Sequence, residues 1–304
     1  MSVAPRPPPT FSRRLTMLRT IFSDIGRAVA PSPLHPEPRT WNDDRITAAW
    51  LGQATVLINF FGVTILTDPV FFARCGIHFG PFTLGPKRYI ACALKPRELP
   101  RIDLVLLSHA HFDHLDTRSL RHINRDAIVV TARHTADIFR RIRFRKVIEL
   151  GWGETAEIGT ARGSLMLAAF QLRHWGARVQ RDEHRTYNAY LIERGGKRLC
   201  FMGDTARTDA RALASRGPVD LIVAPIGAYD PWIRAHCTPE EAVAMSNEAG
   251  ARFILPIHHR TFKLSWEPME EPLSRFKNAM AHEPHRIAAT EIGGTVVLPK
   301  NPTV

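Results

Sequence analysis

Four potential metal ligands lie within six residues of one another in the segment D-L-V-L-L-S-H-A-H-F-D-H-L-D, which spans 103–116. They are His109, His111, Asp113 and His114. Imidazole and carboxylate groups suit zinc, manganese and iron, and an H-x-H pair on extended backbone places both imidazoles on one side of the chain. The Asp-His pair that follows can then turn towards a second ion. This segment therefore predicts a metal centre.

Three further candidate ligands stand where other predicted strands end. They are His174, Asp204 and His258, which follow the apolar segments 165–172, 198–202 and 252–257, respectively. A lone residue of this kind is more often a structural hydrogen-bonding group, but in layered α/β folds ligands bind where several strand ends converge. Seven ligands are too many for one tetrahedral ion. They fit two adjacent ions that share a bridging carboxylate.

The segments that must position these residues alternate between short apolar strands and helices, which indicates an α/β fold. The predicted strands are 46–50, 55–61, 63–67, 104–107, 127–131, 146–150, 165–172, 188–193, 198–202, 221–225 and 252–257, with a final hairpin over 290–298. Helices are predicted over 117–124, 134–141 and 273–281, and from a Thr238 capping box to Gly250. The glycine-rich and aromatic connection after Asp68 reads as a long loop of the kind that often forms a functional lid.

The chain divides into an N-terminal arm, residues 1–40, and a folded domain, residues 41–304. Proline-rich residues 1–10 are expected to be disordered. Between residues 11 and 29 apolar residues recur at alternating spacings of four and three, with arginines elsewhere, which predicts a basic amphipathic helix. This helix either docks on the domain or lies on a membrane surface.

Composition excludes several classes of protein. The chain is 44% hydrophobic and 23% charged, as expected for a globular protein, and no apolar run approaches the roughly 18 residues of a membrane span. Its net charge of +12 fits either a solvated basic surface or an anionic partner, such as a phosphorylated substrate, an anionic lipid surface or nucleic acid. No basic run with interleaved aromatics supports nucleic-acid binding. Four scattered cysteines predict neither disulfides nor a cysteine zinc site, so we expect a cytoplasmic protein, peripheral at the inner face of a membrane if the arm binds lipid.

A series of short motifs carries a family resemblance. They are W-L-G-Q-A-T (50–55), L-T-D-P-V-F (66–71), G-P-K-R-Y (85–89), L-S-H-A-H-F-D-H-L-D (107–116), R-H-W (173–175), F-M-G-D-T (201–205), P-I-G-A-Y-D-P (225–231) and I-H-H-R-T-F (257–262). Over roughly residues 45 to 282 the chain resembles the metallo-β-lactamase-fold hydrolases, and among them N-acylphosphatidylethanolamine-hydrolysing phospholipase D. The likeness to L-ascorbate-6-phosphate lactonase is weaker.

The resemblance implies an αββα four-layer sandwich that holds two Zn²⁺ ions, with manganese or iron as alternatives. One ion would be held by His109, His111 and His174, the other by Asp113, His114 and His258, with Asp204 bridging. The implied catalytic residues are Asp113, Asp204 and His236, and the implied substrate-binding residues are Tyr229 and His236. Some members of the family form dimers, so a homodimer is allowed.

Three departures from the family pattern leave the substrate open. Gln53 stands where the family has His, His259-Arg260 replace a Trp-Gly pair, and the connection between His174 and Asn188 is basic and polar. Three functions remain: a phosphodiesterase of the phospholipase D-like type that uses a metal-bridging hydroxide, a lactonase or other hydrolase for a small soluble anion, and a non-catalytic metal-binding protein.

Overall fold

Two β-sheets lie face to face in the computed structural model, which describes Asp24, residues 26–179 and residues 181–299. The strands are β1 (Ile46–Gly52), β2 (Thr55–Phe60), β3 (Val63–Thr67), β4 (Ile77–Phe79), β5 (Phe82–Leu84), β6 (Leu104–Leu106), β7 (Ile128–Ala132), β8 (Lys146–Leu150), β9 (Thr155–Thr160), β10 (Gly163–Phe170), β11 (Ala189–Arg194), β12 (Lys197–Phe201), β13 (Leu221–Pro225), β14 (Phe253–Ile257) and β15 (Thr295–Val297). The α-helices of the described residues are α1 (Thr117–Leu120), α2 (Pro239–Glu248) and α3 (Glu271–Ala279). The first sheet has the order β15-β1-β2-β3-β6-β7-β8 and the second β14-β13-β12-β11-β10-β9, while β4 and β5 form a separate hairpin.

Alternation along the strands of the second sheet divides their side chains between two cores. Leu199 and Phe201 of β12 pack in the core that both sheets share. Cys200, between them, belongs to a second core together with Met245 of α2 and Phe276 of α3. Because successive side chains of a strand point to opposite faces, one face of this sheet contacts the first sheet and the other contacts the helices.

Short helical segments pack against the strands of the first sheet. Leu120 of α1 and Phe139 of the 3-10 helix Ala136–Arg141 are buried in the same core as the strands of that sheet. The predicted αββα sandwich is therefore confirmed, although the helical layer on this side is thin.

Strand direction determines where the candidate ligands lie. In the first sheet β3, β6, β7 and β8 are parallel. In the second sheet β12, β13 and β14 are parallel, and β10 runs the same way because β11 is antiparallel to both β10 and β12. The residues that follow these strands collect at one end of the sandwich, which we call the metal end.

The final hairpin predicted over 290–298 is wrong. The chain forms one strand there, β15, which pairs with β1 and not with a neighbour in sequence. Its Gly293-Gly294 pair serves a close backbone approach instead of a hairpin turn. Gly293 has a φ of +88°, and a Cβ on it would lie 2.0 Å from the carbonyl oxygen of Leu34.

Other predicted elements differ in extent. The helix predicted over 117–124 is the single turn of α1, and the one over 134–141 is a 3-10 helix. Strand β9 was not predicted, because Ile158 is the one buried residue in a half-exposed segment. The long connection after Asp68 contains the β4–β5 hairpin, which was also not predicted.

The described part of the N-terminal arm lies on the domain. Arg27 donates hydrogen bonds to the carbonyl oxygens of Lys87 and Arg88, at 2.6 and 2.9 Å, and Ala30 pairs with Ile90. Residues 1–23 and Ile25, which hold most of the predicted amphipathic helix, lie outside the described residues. Within the described ranges, no helix has the length and apolarity required to cross a membrane.

The capping box predicted at Thr238 is confirmed and gives a stability prediction. The Thr238 hydroxyl accepts a hydrogen bond from the Glu241 amide, and the Glu241 carboxylate accepts one from the Thr238 amide at 2.9 Å. Removing an N-cap hydroxyl costs about 1 kcal/mol, so Thr238→Ala is expected to lower the free energy of urea unfolding by about that amount. Thr238→Ser keeps the hydroxyl and is the control. Equal stability of the two variants would contradict the role of the cap.

Candidate metal centre

The seven residues predicted as ligands come together at the metal end in two groups. In each group every residue offers one ligand atom, and these atoms lie within 4.8 Å of one another. The first group contains His109, His111, His174 and Asp204, and the second contains Asp113, His114, Asp204 and His258. Asp204 belongs to both, so the geometry has the grouping that the family resemblance implies.

Three imidazoles of the first group point their nitrogens at one another. His109 Nε2 lies 2.8 Å from His111 Nδ1, and His174 Nε2 lies 3.3 Å from each of them. His174 Nδ1 donates to the carbonyl oxygen of Ala235 at 2.8 Å, so the neutral ring has a lone pair on Nε2. Burial lowers the pKa of His174 to about 4, and it also lowers the pKa values of His109 and His111 well below the usual range. Converging neutral imidazoles are a suitable donor set for a cation.

The second group combines imidazoles with the buried carboxylate of Asp204 and the half-buried one of Asp113. His258 Nε2 lies 3.2 Å from both Asp113 Oδ2 and Asp204 Oδ2, and His114 Nε2 lies 3.0 Å from Asp204 Oδ2. Burial alone raises the pKa of each carboxyl, but the neighbouring His114 holds both values well below the usual range. Burial likewise lowers the pKa of His258, yet the charges and hydrogen bonds of Asp204 and Asp113 together outweigh it and raise the pKa to about 9. Two ionised carboxylates in a buried site need nearby positive charge, which metal cations can supply.

Asp204 is the centre of the whole cluster. Its Oδ2 atom lies within 4.0 Å of ring nitrogens from five histidines, namely His109, His114, His174, His236 and His258. Its other oxygen, Oδ1, is buried and makes no hydrogen bond to the described residues, and the same holds for His114 Nε2. Buried polar atoms are normally paired, so these orphaned atoms fit a site built around metal ions.

Asp68 is a site residue that the sequence reasoning missed. Its Oδ2 accepts from His114 Nδ1 at 2.6 Å and from Ser108 Oγ at 2.5 Å, and its Oδ1 accepts from the Ser108 amide at 2.8 Å. The hydrogen bond to Nδ1 directs Nε2 of His114 towards the cluster, the usual arrangement behind a ligating histidine. Asp68 directly follows β3, which is parallel to and paired with β6. The same argument from strand ends that selected Asp204 therefore applied to it.

Gln53, one of the three departures from the family pattern, contacts a candidate ligand. Its Nε2 donates to Asp113 Oδ2 at 2.8 Å, and its backbone carbonyl accepts from the His258 amide at 2.9 Å. A neutral amide here can donate to the carboxylate without adding charge. Gln53 therefore fixes one oxygen of Asp113 and the backbone before His258 at the same time.

Arg178 holds the segment that carries four of the ligands. Its Nη1 donates to the carbonyl oxygens of Ala110 at 3.0 Å and Leu115 at 2.7 Å. Its guanidinium carbon lies 4.0 Å from the centre of the Phe112 ring. Burial lowers the pKa of Arg178 to about 10, so the group stays charged at neutral pH. This arginine thus joins both ends of the ligand segment from a separate loop.

His236 and Tyr229, the two predicted substrate-binding residues, lie in different surroundings. His236 Nδ1 is 3.8 Å from Asp204 Oδ2 and makes no hydrogen bond to the described residues, and burial lowers the pKa of this histidine to about 3. The Tyr229 hydroxyl donates to Glu271 Oε1 at 2.7 Å, and neither residue belongs to the two ligand groups. The structure therefore brings His236 next to Asp204 and pairs the Tyr229 hydroxyl with α3. The substrate roles of both residues stay predictions.

Replacing Asp68 tests the support behind His114. Asp68→Asn removes the charge that orients the imidazole, and loss of such outer partners typically weakens metal affinity by about 10- to 100-fold. The measurement is metal retained per chain during dialysis against a competing chelator. Asp103→Asn is the matched control. Asp103 lies directly before β6, at the end of the strand opposite to the ligand segment, and its carboxylate accepts a hydrogen bond from the Thr64 amide. Equal retention in the two variants would contradict the assignment.

Replacing Arg178 tests the hold on the ligand segment. A hydrogen bond to a charged group contributes about 1.5–3 kcal/mol, so Arg178→Ala is expected to speed amide exchange in residues 108–116 by about tenfold or more. Arg178→Lys restores one donor and should recover part of the protection. Arg173→Ala, an exposed arginine on the same connection, is the control. Hydrogen–deuterium exchange with mass spectrometry measures the exchange rate of residues 108–116. An unchanged rate in Arg178→Ala would contradict the role of Arg178 in holding this segment.

Comparisons with known proteins give the family. A model described as the beta-lactamase superfamily domain matches residues 63–259, a range that includes all seven candidate ligands. An uncharacterized protein of Mycobacterium tuberculosis is 30% identical over 288 residues, which covers 91% of this chain and 75% of the relative. The N-acyl-phosphatidylethanolamine-hydrolyzing phospholipase D 1 of Caenorhabditis elegans is 31% identical over 261 residues, which covers 79% of this chain and 71% of the relative.

A solved structure supports the same fold. The crystal structure of a possible metal-dependent hydrolase from Veillonella parvula matches with a TM-score of 0.66 at 18% identity, and the match covers 84% of this chain and 100% of that chain. At this identity the likeness concerns the fold alone. Together with the family model and the clustered ligands, it leads to one conclusion: the chain belongs to the beta-lactamase superfamily and is a metallo-β-lactamase-fold protein of the metal-dependent hydrolase type.

Proposed function

We propose that this protein is a dinuclear zinc phosphodiesterase that hydrolyses phospholipids of the N-acylphosphatidylethanolamine type. The observation that carries the proposal is the pair of ligand groups joined through Asp204. Two groups that share a carboxylate favour two adjacent ions over one. The substrate class is suggested by the printed name of the Caenorhabditis elegans relative.

The donor atoms favour zinc. Five imidazoles and two carboxylates make up the two groups, and zinc accepts both kinds of ligand in hydrolytic sites. When bound, two adjacent ions lower the pKa of a coordinated water and stabilise the charge that develops on phosphoryl oxygens. Manganese and iron accept similar donors, so elemental analysis of the purified protein is part of the test.

The chain's own residues would orient the reactants. Asp113 and Asp204 both belong to the second group, so each can accept a hydrogen bond from the attacking water and fix its direction. His236 has a strongly lowered pKa and is therefore neutral near pH 7. A neutral imidazole can donate one hydrogen bond to a phosphoryl or leaving-group oxygen, and its unpartnered Nδ1 is available for this.

A second candidate function is the hydrolysis of a small soluble anion. It is favoured by the departures from the family pattern, above all the basic connection between His174 and Asn188. The printed name of a similar protein of Cupriavidus taiwanensis, "UPF0173 metal-dependent hydrolase", 28% identical over 277 residues, specifies no substrate and is therefore compatible with this second function. The third possibility, a non-catalytic metal-binding protein, predicts no turnover of any substrate.

A substrate panel tests the proposal. Zinc-loaded full-length protein is expected to release phosphatidic acid from N-acylphosphatidylethanolamine in detergent micelles, and to leave lactones and carboxylic esters intact. His236→Ala should keep its zinc and lose about 10²- to 10³-fold in kcat, as is typical when one transition-state hydrogen-bond donor is removed. Asp204→Asn should lose zinc as well. Asp220→Asn, a carboxylate paired with Lys197 in the second sheet, is the control.

The possible outcomes separate the candidates. Turnover of lactones or small soluble diesters without turnover of the phospholipid would favour the second function. No turnover by the wild type or by any variant on the whole panel, with zinc bound, would favour the non-catalytic one. Retention of full activity in His236→Ala would contradict the proposal that this histidine donates a hydrogen bond to the substrate.

A further inference from the structure

The β4–β5 hairpin presents an apolar face to solvent. Ile77 pairs with Leu84 and Phe79 with Phe82, so these four side chains alternate onto one face. They are 45%, 54%, 60% and 76% exposed, respectively. His78 and Thr83, which pair with each other, alternate onto the other face and are half-buried. Contiguous exposed apolar surface of this kind commonly marks an interaction site.

The hairpin is fixed in this orientation by its polar face. His78 Nδ1 lies 2.9 Å from Thr83 Oγ1, and His78 Nε2 lies 2.6 Å from Asp116 Oδ1. Asp116 also caps α1, directly after the ligand segment. At the base, Arg74 donates to the carbonyl oxygen of Gly85 at 2.7 Å. The apolar face is therefore held outward by bonds to the metal end and cannot turn inward without breaking them.

Four of the other six exposed large apolar side chains in the described residues lie in connections that leave the same end of the sandwich. Ten large hydrophobic side chains are exposed in the described part of the chain, and eight follow the carboxyl ends of β3, β8, β10, β13 and β14. These eight are Ile77, Phe79, Phe82, Leu84, Trp152, Val179, Ile233 and Trp266. Most of the exposed large apolar side chains in the described part of the chain therefore belong to connections that leave the end holding the candidate ligands.

The connection that contains the hairpin, residues 69–95, carries a positive charge, and this charge favours an anionic partner over a second copy of the chain. Residues 69–95 contain no Asp or Glu, and three of their basic side chains reach the surface: Arg74 and Lys87 are half-buried and Lys95 is exposed, whereas Arg88 is buried. A symmetric contact with a second copy would bring two such basic connections together, which like-charge repulsion opposes. An anionic lipid surface offers both an apolar interior for the phenylalanines and negative headgroups for the cations.

We infer that the exposed face of the β4–β5 hairpin inserts into the surface of an anionic phospholipid bilayer and brings the metal end against the headgroups. The inference rests on the proposed function in one respect, that a lipid is the natural partner. The contact is separate from any made by residues 11–29. It places membrane binding on a rigid part of the domain, next to Asp116 and the ligand segment.

Vesicle sedimentation with the full-length chain tests the inference. The wild type is expected to bind vesicles of equimolar phosphatidylcholine and phosphatidylglycerol, to bind phosphatidylcholine alone more weakly, and to bind less as salt screens the charges. The double variant Phe79→Ser/Phe82→Ser should bind about a hundredfold more weakly, since burying each of the two side chains contributes on the order of a tenfold change. Val297→Ser, an exposed apolar residue on β15, should bind like the wild type. Circular dichroism and metal content verify that each variant is folded.

Three results would overturn the inference. One is vesicle binding by the double variant equal to that of the wild type, since another segment such as residues 11–29 would then carry it. Another is no binding by the wild type. The last is a dimeric wild type and a monomeric double variant, with no vesicle binding by either protein. That result would show that the apolar face binds a second copy of the chain.

The two proposals fail separately. Vesicle binding without hydrolysis of any phosphodiester would reject the proposed function and leave the membrane contact standing. Hydrolysis of phospholipid in detergent micelles without vesicle binding would reject the membrane contact and leave the proposed function standing.

Discussion

The structure depends on a buried carboxylate that must be surrounded by positive or polarisable groups. Asp204 is 4% exposed, and its Oδ2 approaches ring nitrogens from five histidines. A charge in such a setting is tolerated only with close compensation, so the surrounding atoms have little freedom. The strands that end here meet this demand from both sheets. Gly203 shows how tight the arrangement is, because a Cβ on it would lie 2.5 Å from the Cβ of Ser108 on the opposite sheet.

A second set of hydrogen bonds fixes the rings that surround this carboxylate. Asp68 and the carbonyl of Ala235 each hold the Nδ1 of one histidine, and Gln53 holds an oxygen of Asp113. Arg178 acts on the backbone instead of a ring. Because these partners come from different loops, displacement of any one of them moves a ligand atom. The geometry of the centre is therefore a property of the whole metal end.

The sequence predicted what local spacing or strand ends determine. The segment around His109 and His111 was recognisable because its ligands lie within one loop, and His258 because it ends an apolar strand. Arg178 was not recognised, since its acceptors lie 63 and 68 residues away and no pattern joins them. The hairpin predicted over 290–298 failed because a glycine pair can serve a turn or a close approach equally well. Alternation gives the two faces of a strand, but it does not say whether another element covers either face.

The metal end combines two properties that rarely lie together on a protein. Its interior holds the buried carboxylates and imidazoles, while its rim carries most of the exposed large apolar side chains of the described chain. A small soluble anion would need the first property and gain nothing from the second, because exposed apolar surface costs solubility. A phospholipid needs both, since its phosphodiester and its acyl chains are joined a few bonds apart. The apolar rim therefore supports a lipid over a small anion as the substrate of this hydrolase fold.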